Sequence, residues 1–530
     1  MTDTKHSGWV KDISLSLPSL EDNTADTERL ISALKNELQT DYVDIDLDIV
    51  KTLPVLLREA NYKVRCVLFK DRETWRVIGV KKTGDCSMCI GIAVDLGTTT
   101  VVLRFLDLVT GNSMAESSID NPQISIGPDI LTRIHIAENN SGLKQLNGLI
   151  IDGLNNSIEK TCISCNIKTE DIYLICIAGN TAMTHLFMCL NPAWLIREPY
   201  IPVINRPGLQ KARELGIKVN YGAKVFIFPN IGSYFGGDLI AGILFSGMHK
   251  HEQTAILVDV GTNAEVVLGN KNWLMGCAGA AGSALESGAA KIGMMADQGA
   301  IDKVSINPDT GKFNLHVIMD VMPKGICGSG LIDLAASLFL SGMIDIRGKL
   351  AASACGNKIT KKDGMSHFIV ADAHNSATGY DLTISQAEID SLIRSKAAMY
   401  TILETISNSI GISFSELATF YVAGTFGSLI NPKSAISIGM LPDLPINTYK
   451  TLGNSSIGGA AMVITDSTAV EEINSIENNI TYLELNVNQE FMNRFSAAKF
   501  LPHTDLSRFP SVKPNIAKVG KAADPKDQFN

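Results

Sequence analysis

Two similar turns, about 160 residues apart, constrain the fold of this chain more than any other feature. The first is Asp95-Leu96-Gly97-Thr98-Thr99-Thr100, and the second is Asp259-Val260-Gly261-Thr262-Asn263-Ala264-Glu265; each follows a short apolar run. A buried strand that ends in an acid, a glycine and hydroxyl or amide side chains places a carboxylate beside backbone N–H groups, which suits a phosphate and its metal ion. We therefore expect two related half-domains that close over one nucleotide from opposite sides.

The residues after each turn exclude the commonest nucleotide-binding folds. Residues 101–108 return from the first turn as a strand, and the second turn is followed by the same pattern, so a β-hairpin and not a crossover helix follows each turn. A P-loop needs Gly-x-x-x-x-Gly-Lys-Ser/Thr before a helix, and this pattern is absent from the sequence. Gly328-Ser329-Gly330 lacks the third glycine of a dinucleotide-binding fold. A Walker-type ATPase is excluded, and a Rossmann site is disfavoured.

Length and charge narrow the class of protein. The chain has 530 residues, of which 45% are apolar and 19% charged, so we expect two to four domains of about 150 residues each. A net charge of −9 argues against nucleic acid as a partner. No apolar run approaches the roughly 20 residues that a membrane helix needs, and the first 25 residues lack a signal core. We expect a soluble cytoplasmic protein with no membrane contact.

The ten cysteines allow two interpretations. Most lie in apolar surroundings and are typical of core thiols in a reducing compartment. Two C-x-x-C pairs, Cys86 with Cys89 and Cys162 with Cys165, together have the ligand count of a zinc or iron–sulfur site. Such pairs also arise by chance in a chain with this many cysteines. We expect no iron–sulfur cluster, and metal analysis would decide the matter.

The pattern along the chain predicts five segments. A linker-like arm is expected over 1–28, a small α+β domain over 29–88, two half-domains over 89–252 and 253–490, and a C-terminal arm with a flexible tail over 491–530. In the small domain we expect a helix capped by Asp26, a helix over 49–60 and a hairpin around 70–73. Further helices are expected over about 146–165 and 470–478, and a strand over 480–487.

The two turns and the later Ala423-Gly424-Thr425-Phe426-Gly427 resemble the first phosphate, second phosphate and adenosine motifs of the ASKHA superfamily, which contains acetate and sugar kinases, heat-shock chaperone ATPases and actin. The order and the spacing of the three motifs along the chain also fit this superfamily. The resemblance implies an α/β, actin-like ATPase with two ribonuclease H-like half-domains, here preceded by the small α+β domain.

Further motifs resemble a narrower family, the reductive activators of corrinoid proteins. These motifs are Pro18 to Asp26, Asn121-Pro122-Gln123 with Gly127 and Asp129 to Ile134, Gly179 to His185, Gly325 to Asp333, and Ile438 to Pro442. The family implies an ATPase that binds the Co(II) form of a corrinoid protein in a methyltransferase system. It implies that ATP, with Mg²⁺, is coupled to one-electron reduction of the cobalt to Co(I).

The sequence departs from this family in two places. Typical members carry a ferredoxin domain, whereas no group of four ferredoxin cysteines precedes the linker-like arm here. We expect an external electron donor such as a ferredoxin; alternatively the C-x-x-C pairs substitute for the cluster, or only ATP-driven binding is retained. In the loop Gly279 to Gly288, similar proteins carry proline after the glycine and glycine after the glutamate.

The resemblance assigns roles residue by residue. Asp95 and Asp259 would hold Mg²⁺ through water and orient the attacking water. The phosphates would contact Gly97, Thr98, Thr99, Thr100, Gly261, Thr262 and Asn263, and the adenosine would contact Gly424, Thr425, Phe426 and Gly427. Asp238 and Glu286 are further candidates, although Asp238 could instead be the N-cap of an apolar helix. His185 is expected to be a packed core histidine and not a cobalt ligand.

Three other functions use the same turns. A small-molecule kinase would need an acid that acts as base toward a substrate hydroxyl. An actin-type assembly ATPase would sediment in an ATP-dependent way, and a regulatory protein would bind ATP without turnover. A homodimer is also expected.

Overall fold

The computed structural model describes residues 8–261, 264–279, 290–306, 313–362, 364–424, 430–483 and 490–512. Contacts divide the chain into two units, and the division does not follow the order of the sequence. Unit 1 contains the residues up to Gly247 together with Ser455–Ile480, and unit 2 contains Met248–Asn454 together with the residues from Thr481 onward.

The first part of unit 1 is a small α+β fold. Its elements are β1 Val10–Ser14, α1 Asp26–Leu38, β2 Val43–Ile45, α2 Leu47–Glu59, β3 Lys63–Asp71 and β4 Thr74–Lys82. The sheet has the order β1-β3-β4-β2, and the apolar faces of both helices pack against it. Both helices and the hairpin confirm the sequence prediction. Asp26, expected as the cap of α1, is instead its first residue, and Ala25 is the N-cap.

Strand β1 was not predicted from the sequence. It lies in the segment predicted to be a linker-like arm, and it forms by antiparallel pairing with β3, where Val10 lies opposite Val67. Trp9, just before it, is fully buried and stacks on Phe69 with ring centroids 4.9 Å apart. Pairing to a distant strand supplies the backbone partners that local sequence does not reveal.

A six-stranded sheet forms the centre of unit 1. The next elements are β5 Ile90–Leu96, β6 Thr100–Asp107, β7 Ser113–Asp120, α3 Ile130–Ile136, α4 Asn140–Cys165, β8 Ile172–Gly179, α5 Thr181–Phe187, β9 Gly208–Lys211, β10 Lys224–Ile227 and α6 Gly237–Ser246. The strand order is β7-β6-β5-β8-β10-β9, in which β5, β8 and β10 run parallel. Loops after these three strands therefore meet at one edge of the sheet.

Unit 2 begins with the second strand–turn–strand pattern. Its elements are β11 Ala255–Val260, β12 Ala264–Asn270, β13 Trp273–Gly279, β14 Ala300–Ile306, β15 Phe313–Val317, β16 Gly325–Ile326, α7 Gly328–Leu340, α8 Ala352–Cys355, β17 Ile359–Lys362, β18 Met365–Ala371, β19 Leu382–Ser385, α9 Gln386–Ile410, β20 Thr419–Ala423, α10 Pro432–Ser437 and β21 Tyr449–Gly453. As β5 and β6 do in unit 1, β11 and β12 pair antiparallel. This repetition confirms the predicted hairpin after each turn.

The chain then returns to unit 1 and ends in unit 2. The remaining elements are α11 Ser455–Thr465, α12 Ala469–Asn479, β22 Ile480–Tyr482 and α13 Glu490–Ala498. The main sheet of unit 2 has the order β21-β20-β11-β12-β13-β22, and smaller sheets join β15-β14-β16 and β17-β18-β19. In unit 1, α11 packs closely on α6: a Cβ at Gly459 would lie 2.2 Å from the carbonyl oxygen of Ala241.

The C-terminal arm packs on unit 2. Leu501 and Phe509 are buried in the same core as α9. The ammonium group of Lys396, fully buried on α9, donates to the carbonyl oxygens of Phe500 at 2.6 Å and Pro502 at 2.8 Å. The expected flexible tail, from residue 513, lies outside the described residues.

Other predicted elements differ in their bounds. Helix α4 begins at Asn140, where Asn139 caps it by accepting from the N–H of Gly142, and not near Leu146. The strand expected over 480–487 is described as far as Tyr482, and 484–489 lie outside the described residues. Within the described ranges, no helix is both long enough and apolar enough to cross a membrane.

Candidate nucleotide-binding site

The turn predicted to bind the first phosphates, here called the first phosphate turn, connects β5 to β6 in unit 1. Asp95 is the penultimate residue of β5, and it lies between Val102 of β6 and Ala178 of β8 in the sheet register. A Cβ at Gly97 would lie 2.4 Å from the carbonyl oxygen of Thr100, so only glycine fits this turn. The strand register thus places the carboxylate of Asp95 at the sheet edge where the turn begins.

Two asparagines hold the turn in place. The side-chain amide of Asn121 donates to the carbonyl oxygen of Gly97 at 2.9 Å, and its backbone N–H donates to the carbonyl oxygen of Thr99 at 2.7 Å. The amide of Asn180, the N-cap of α5, donates to Oγ1 of Thr98 at 3.1 Å. Because Thr98 accepts this bond, its own hydroxyl proton stays available for a ligand oxygen.

Asp95 has a hydroxyl partner from a distant part of unit 1. Oγ of Ser456, in the first turn of α11, donates to Oδ1 of Asp95 at 2.9 Å. Ser456 is 5% exposed, so this bond lies in a partly desolvated position and orients the carboxylate. The motifs in the sequence do not single out Ser456; its signal is a pair of serines that opens an apolar helix directly after a strand.

Asp238 lies close enough to Asp95 for the two carboxyl groups to interact. Burial and the negative charge of Asp95 raise the pKa of Asp238 to about 7. Gly236 and not Asp238 is the N-cap of α6, so the capping interpretation of Asp238 is wrong. A Cβ at Gly236 would lie 2.4 Å from Cα of Asn180, which shows how closely this loop approaches the start of α5.

Two buried polar side chains near the same sheet edge have no protein partner. Asn230, in the loop after β10, is 1% exposed, and neither its amide nitrogen nor its oxygen is hydrogen-bonded. Oγ of Ser455, next to Ser456, is also buried without a partner. Unpaired buried polar atoms are uncommon and costly, which makes both residues candidates for ligand contacts that sequence analysis missed.

Unit 2 carries the second phosphate turn. In the sheet register Asp259 of β11 lies opposite Glu265 of β12 and beside Ala423 of β20. Gly424 follows β20 with φ of 89°, and a Cβ there would lie 2.8 Å from Oδ1 of Asp259. The first glycine of the adenosine motif is therefore packed against the acid of the second phosphate turn.

The structure thus groups the candidate residues in two sets. In unit 1, Asp95, Gly97, Thr98, Thr99, Thr100 and Asp238 belong to one sheet edge. In unit 2, Asp259 and Gly424 are in contact, and Gly261 directly follows β11. Thr262, Asn263, Glu286, Thr425, Phe426 and Gly427 lie outside the described residues.

The remaining sequence candidates occupy different positions. His185 is fully buried in α5, which confirms the core interpretation. Of the C-x-x-C cysteines, Cys86 is exposed, Cys89 and Cys162 are buried, and Cys165 is half-buried. Over the described ranges, no three or more His, Cys, Asp or Glu side chains come together, as they would in a zinc or iron–sulfur site.

Comparison with protein families identifies matches along nearly the whole chain. Residues 7–86 match the RACo linker region, residues 90–251 match the RACo middle region, and residues 253–513 match the C-terminal domain of RACo, the ASKHA domain. The three matches follow one another in the order expected of that family.

Individual relatives of this chain agree with the family matches. The chain is 31% identical over 413 residues to the corrinoid activation enzyme RamQ of Eubacterium limosum, covering 76% of this chain and 69% of the relative. It is 23% identical over 436 residues to a [Co(II) methylated amine-specific corrinoid protein] reductase of Methanosarcina barkeri, covering 74% of this chain and 73% of the relative. A solved reductive activator for a corrinoid, iron–sulfur protein superposes with a TM-score of 0.87 at 35% identity, covering 97% of this chain and 82% of that one.

Proposed function

Because this chain belongs to the RACo family of reductive activators of corrinoid proteins, we propose that it is an ATP-dependent activator that returns an inactive corrinoid protein to its reduced state. It binds the partner in the Co(II) form and couples ATP hydrolysis to reduction to Co(I). One electron passes from a separate donor, which is oxidised, to cobalt. In the accompanying hydrolysis, water attacks the γ-phosphorus, the bond to the bridging oxygen breaks, and ADP and phosphate leave.

The observation that carries the ATPase part is the arrangement around Asp95. Ser456 orients its carboxylate, and Asp238 lies beside it. Thr98, held by Asn180, presents a hydroxyl proton that can be donated to a phosphate oxygen. Phosphoryl transfer depends mainly on positioning and charge neutralisation; these residues would supply the positioning, and a Mg²⁺ ion held by Asp95 would supply the neutralisation.

The residues present fit a magnesium ion. Carboxylate oxygens are preferred Mg²⁺ ligands, and the raised pKa of Asp238 reflects, after burial, the nearby negative charge of Asp95, which a cation would offset. In unit 1 we assign Asp95 to Mg²⁺ through water; in unit 2 we assign the same role to Asp259. When bound, Mg²⁺ neutralises the charge that develops on the phosphates.

Asp238 is assigned to the proton of the attacking water, which Asp95 and Asp259 would orient in the roles that the resemblance implies. Its position beside Asp95 allows it to accept the proton that water loses as the new bond to phosphorus forms. The loop from Asn230 to Gly236 leads directly into α6, which carries Asp238. In unit 2 we assign Gly424 to the adenosine. The motif extends this role to Thr425, Phe426 and Gly427.

The proposed partners follow from the activities of the relatives. A relative in Methanosarcina barkeri is a reductase of a Co(II) corrinoid protein, and we extend this substrate class to the present chain. A low-potential iron–sulfur protein such as a ferredoxin is the proposed electron donor. We also propose a homodimer.

The test is ATP hydrolysis measured with and without a Co(II) corrinoid protein, with cobalt followed by its visible spectrum and a chemical reductant as electron source. The first partner to use is the corrinoid protein that the Eubacterium limosum relative activates, followed by those of other methyltransferase systems. Partner-stimulated hydrolysis with formation of Co(I) is expected. ADP production that depends on a small hydroxylated acceptor, without Co(I), would instead identify a kinase.

A further inference from the structure

Arg133, on α3 of unit 1, is completely buried. Its Nε donates to the carbonyl oxygen of Gly127 at 2.8 Å, and its Nη1 donates to Oε1 of Gln123 at 3.1 Å and to Sδ of Met183 at 3.3 Å. Nη2 is buried and has no hydrogen-bond partner in the described part of the protein. The three partners of the guanidinium group are all uncharged, although buried charges in proteins are normally paired.

Among the described residues, no carboxylate forms an ion pair with Arg133. Asp129, four residues earlier, is the N-cap of α3, and its two oxygens accept from the backbone N–H and the hydroxyl of Thr132 at 2.9 and 2.7 Å. Burial lowers the pKa of Arg133 to about 10, an effect that the charge of Asp129 opposes, so the guanidinium group is charged at neutral pH. An unpaired buried charge is costly, and a neutral amide could supply hydrogen bonds to the same neighbours without that cost.

A first path of hydrogen bonds leads from Arg133 to the first phosphate turn through Gln123. The backbone N–H of Gln123 donates to Oδ1 of Asn121 at 3.0 Å. The side-chain amide of Asn121 in turn donates to the carbonyl oxygen of Gly97 at 2.9 Å. The amide nitrogen of Gln123 donates to the carbonyl oxygen of Leu146 at 2.9 Å, so its oxygen is left to face the guanidinium group.

A second path leads through Met183 of α5. Its backbone N–H donates to Oδ1 of Asn180 at 2.9 Å, and the amide of Asn180 holds Thr98. Sδ of Met183 also accepts from the amide of Asn121 at 3.9 Å. Through this sulfur, Nη1 of Arg133 lies no more than about 10 Å from the carbonyl oxygen of Gly97, a range over which a buried charge still acts.

These contacts give a physical reason for the motif Asn121-Pro122-Gln123 with Gly127 and Asp129 to Ile134. A Cβ at Gly127 would lie 2.5 Å from Cγ of Arg133, so the arginine side chain occupies the space that any larger residue would need. Asn121 contacts the turn, Gln123 and Gly127 accept from the guanidinium group, and Asp129 caps the helix that carries it. The motif therefore places one buried, unpaired cation next to the first phosphate turn.

We propose that Arg133 is a positioning residue for the phosphates: its unpaired charge favours negative charge on the first phosphate turn, and its hydrogen bonds hold that turn through Asn121. This inference rests on the proposed function, because it takes this turn to bind the phosphates. Arg133 is too deeply buried to contact the nucleotide itself. At about 10 Å, a charge in a protein interior changes the affinity for one further negative charge by about 10-fold. Affinity should therefore rise with the number of phosphates on the ligand, and Arg133 should supply part of that rise.

The experiment measures affinities for adenosine, ADP and a non-hydrolysable ATP analogue by calorimetric titration at one fixed concentration of Mg²⁺. Arg133→Met removes the charge, and Arg133→Lys keeps it. Gln123→Glu places a carboxylate against the guanidinium group and so pairs its charge within the protein. Arg29→Met is the matched control, because Arg29 also lies in unit 1 and is 5% exposed, but its guanidinium group is paired with Asp22 at 2.9 Å.

The methionine variant of Arg133 and Gln123→Glu are expected to bind the ATP analogue about 10-fold or more weakly than wild type. Their affinity for ADP should fall by a smaller factor, and their affinity for adenosine should not change. Arg133→Lys should keep the wild-type ratio of ATP-analogue to adenosine affinity, and so should Arg29→Met. All affinities are compared at equal fractions of folded protein, since the lost buried contacts also lower stability. A side chain that only supports the fold would weaken the binding of all three ligands by the same factor.

The outcomes separate this inference from the proposed function. If wild type binds no ATP analogue, or binds it no better than adenosine, the phosphate role of the turn is wrong and the inference falls with it. If wild type prefers the ATP analogue and both Arg133→Met and Gln123→Glu keep that preference, only the role of Arg133 is wrong. Equal losses for all three ligands would likewise overturn it, as would a lysine variant that loses the preference. If Arg133→Met does not fold, Gln123→Glu compared with Arg133→Lys decides in the same way.

Discussion

The hydroxyl of Ser456 donates a hydrogen bond of 2.9 Å to Oδ1 of Asp95, although 361 residues separate them in the sequence. Asp95 is the penultimate residue of a central strand of unit 1, and Ser456 lies in the first turn of the helix that returns to this unit after the chain has passed through unit 2. The orientation of the proposed catalytic carboxylate therefore depends on a helix that no local sequence pattern connects to it.

Removing either partner of this bond should lower ATP turnover by different amounts. Asp95→Ala removes the carboxylate itself, and we expect a loss of about 10²-fold or more. Ser456→Ala removes one hydrogen bond to a charged group, and we expect a loss of about 10-fold. Ser511→Ala is the matched control, because Oγ of Ser511 donates to Asp443 at 2.8 Å on an exposed part of unit 2. Steady-state hydrolysis measures all three, and an unchanged rate in Asp95→Ala would remove the assignment.

Asp238 should make stability depend on pH in metal-free protein. Its pKa rises from 3.8 to about 7 on folding, so the folded carboxyl keeps a proton that the unfolded one has already lost. The contribution of Asp238 to the free energy of unfolding therefore falls as pH rises from about 4 to about 7. Above about pH 7 this contribution no longer changes with pH. Urea unfolding with a chelator present should show this decline in wild type relative to Asp238→Asn.

Magnesium with ATP should weaken that decline. A cation near Asp95 offsets the negative charge that helps to raise the pKa of Asp238, so part of the shift should disappear. Identical pH slopes in wild type and Asp238→Asn would contradict the raised pKa. Identical slopes with and without Mg²⁺ and ATP would contradict the assignment of the ion to Asp95.

Gly424→Ala should damage the second phosphate turn. A Cβ at Gly424 would lie 2.7 Å from the carbonyl oxygen of Val260 and 2.8 Å from Oδ1 of Asp259, and φ is 89°. Gly411→Ala, at φ of 74° with no atom within 4 Å of its Cβ, has the backbone strain without the clash. Each change should cost about 1–2 kcal/mol of stability from strain alone, while only Gly424→Ala should lose ATP turnover. Equal turnover in the two variants would show that the contact with Asp259 has no part in the reaction.

Thr98→Val removes a hydroxyl without changing the volume of the side chain, whereas Thr98→Ser keeps the hydroxyl. A hydrogen bond to a charged phosphate is worth about 1.5–3 kcal/mol, so we expect the valine variant to bind an ATP analogue at least about 10-fold more weakly. The serine variant should bind nearly as well as wild type. Calorimetric titration measures both affinities, and equal binding by the valine variant would show that Thr98 does not contact the phosphates.

Much of the fold could be predicted from the sequence because its signals are local. Apolar runs that end in Asp95 and Asp259 predicted the two strands, and the glycine and hydroxyl residues after them predicted the hairpins. Strand β1 could not be predicted, because it is stabilised by pairing with β3 and not by its own composition. The roles of the motif residues and the five-segment division stay predictions.

The strand–turn–strand units and the residue types that suit phosphate and magnesium follow from the amino-acid sequence alone, since glycine, hydroxyl and carboxylate chemistry is set by the residues themselves. The side chains that surround these units depend on how the chain folds. The return of Ser455–Ile480 to unit 1 brought Ser456 to Asp95, and the parallel strands brought Asn180 to Thr98 and Asp238 toward Asp95. These pairs arise from packing between segments far apart in the chain, where no periodicity or spacing in the sequence records the contact.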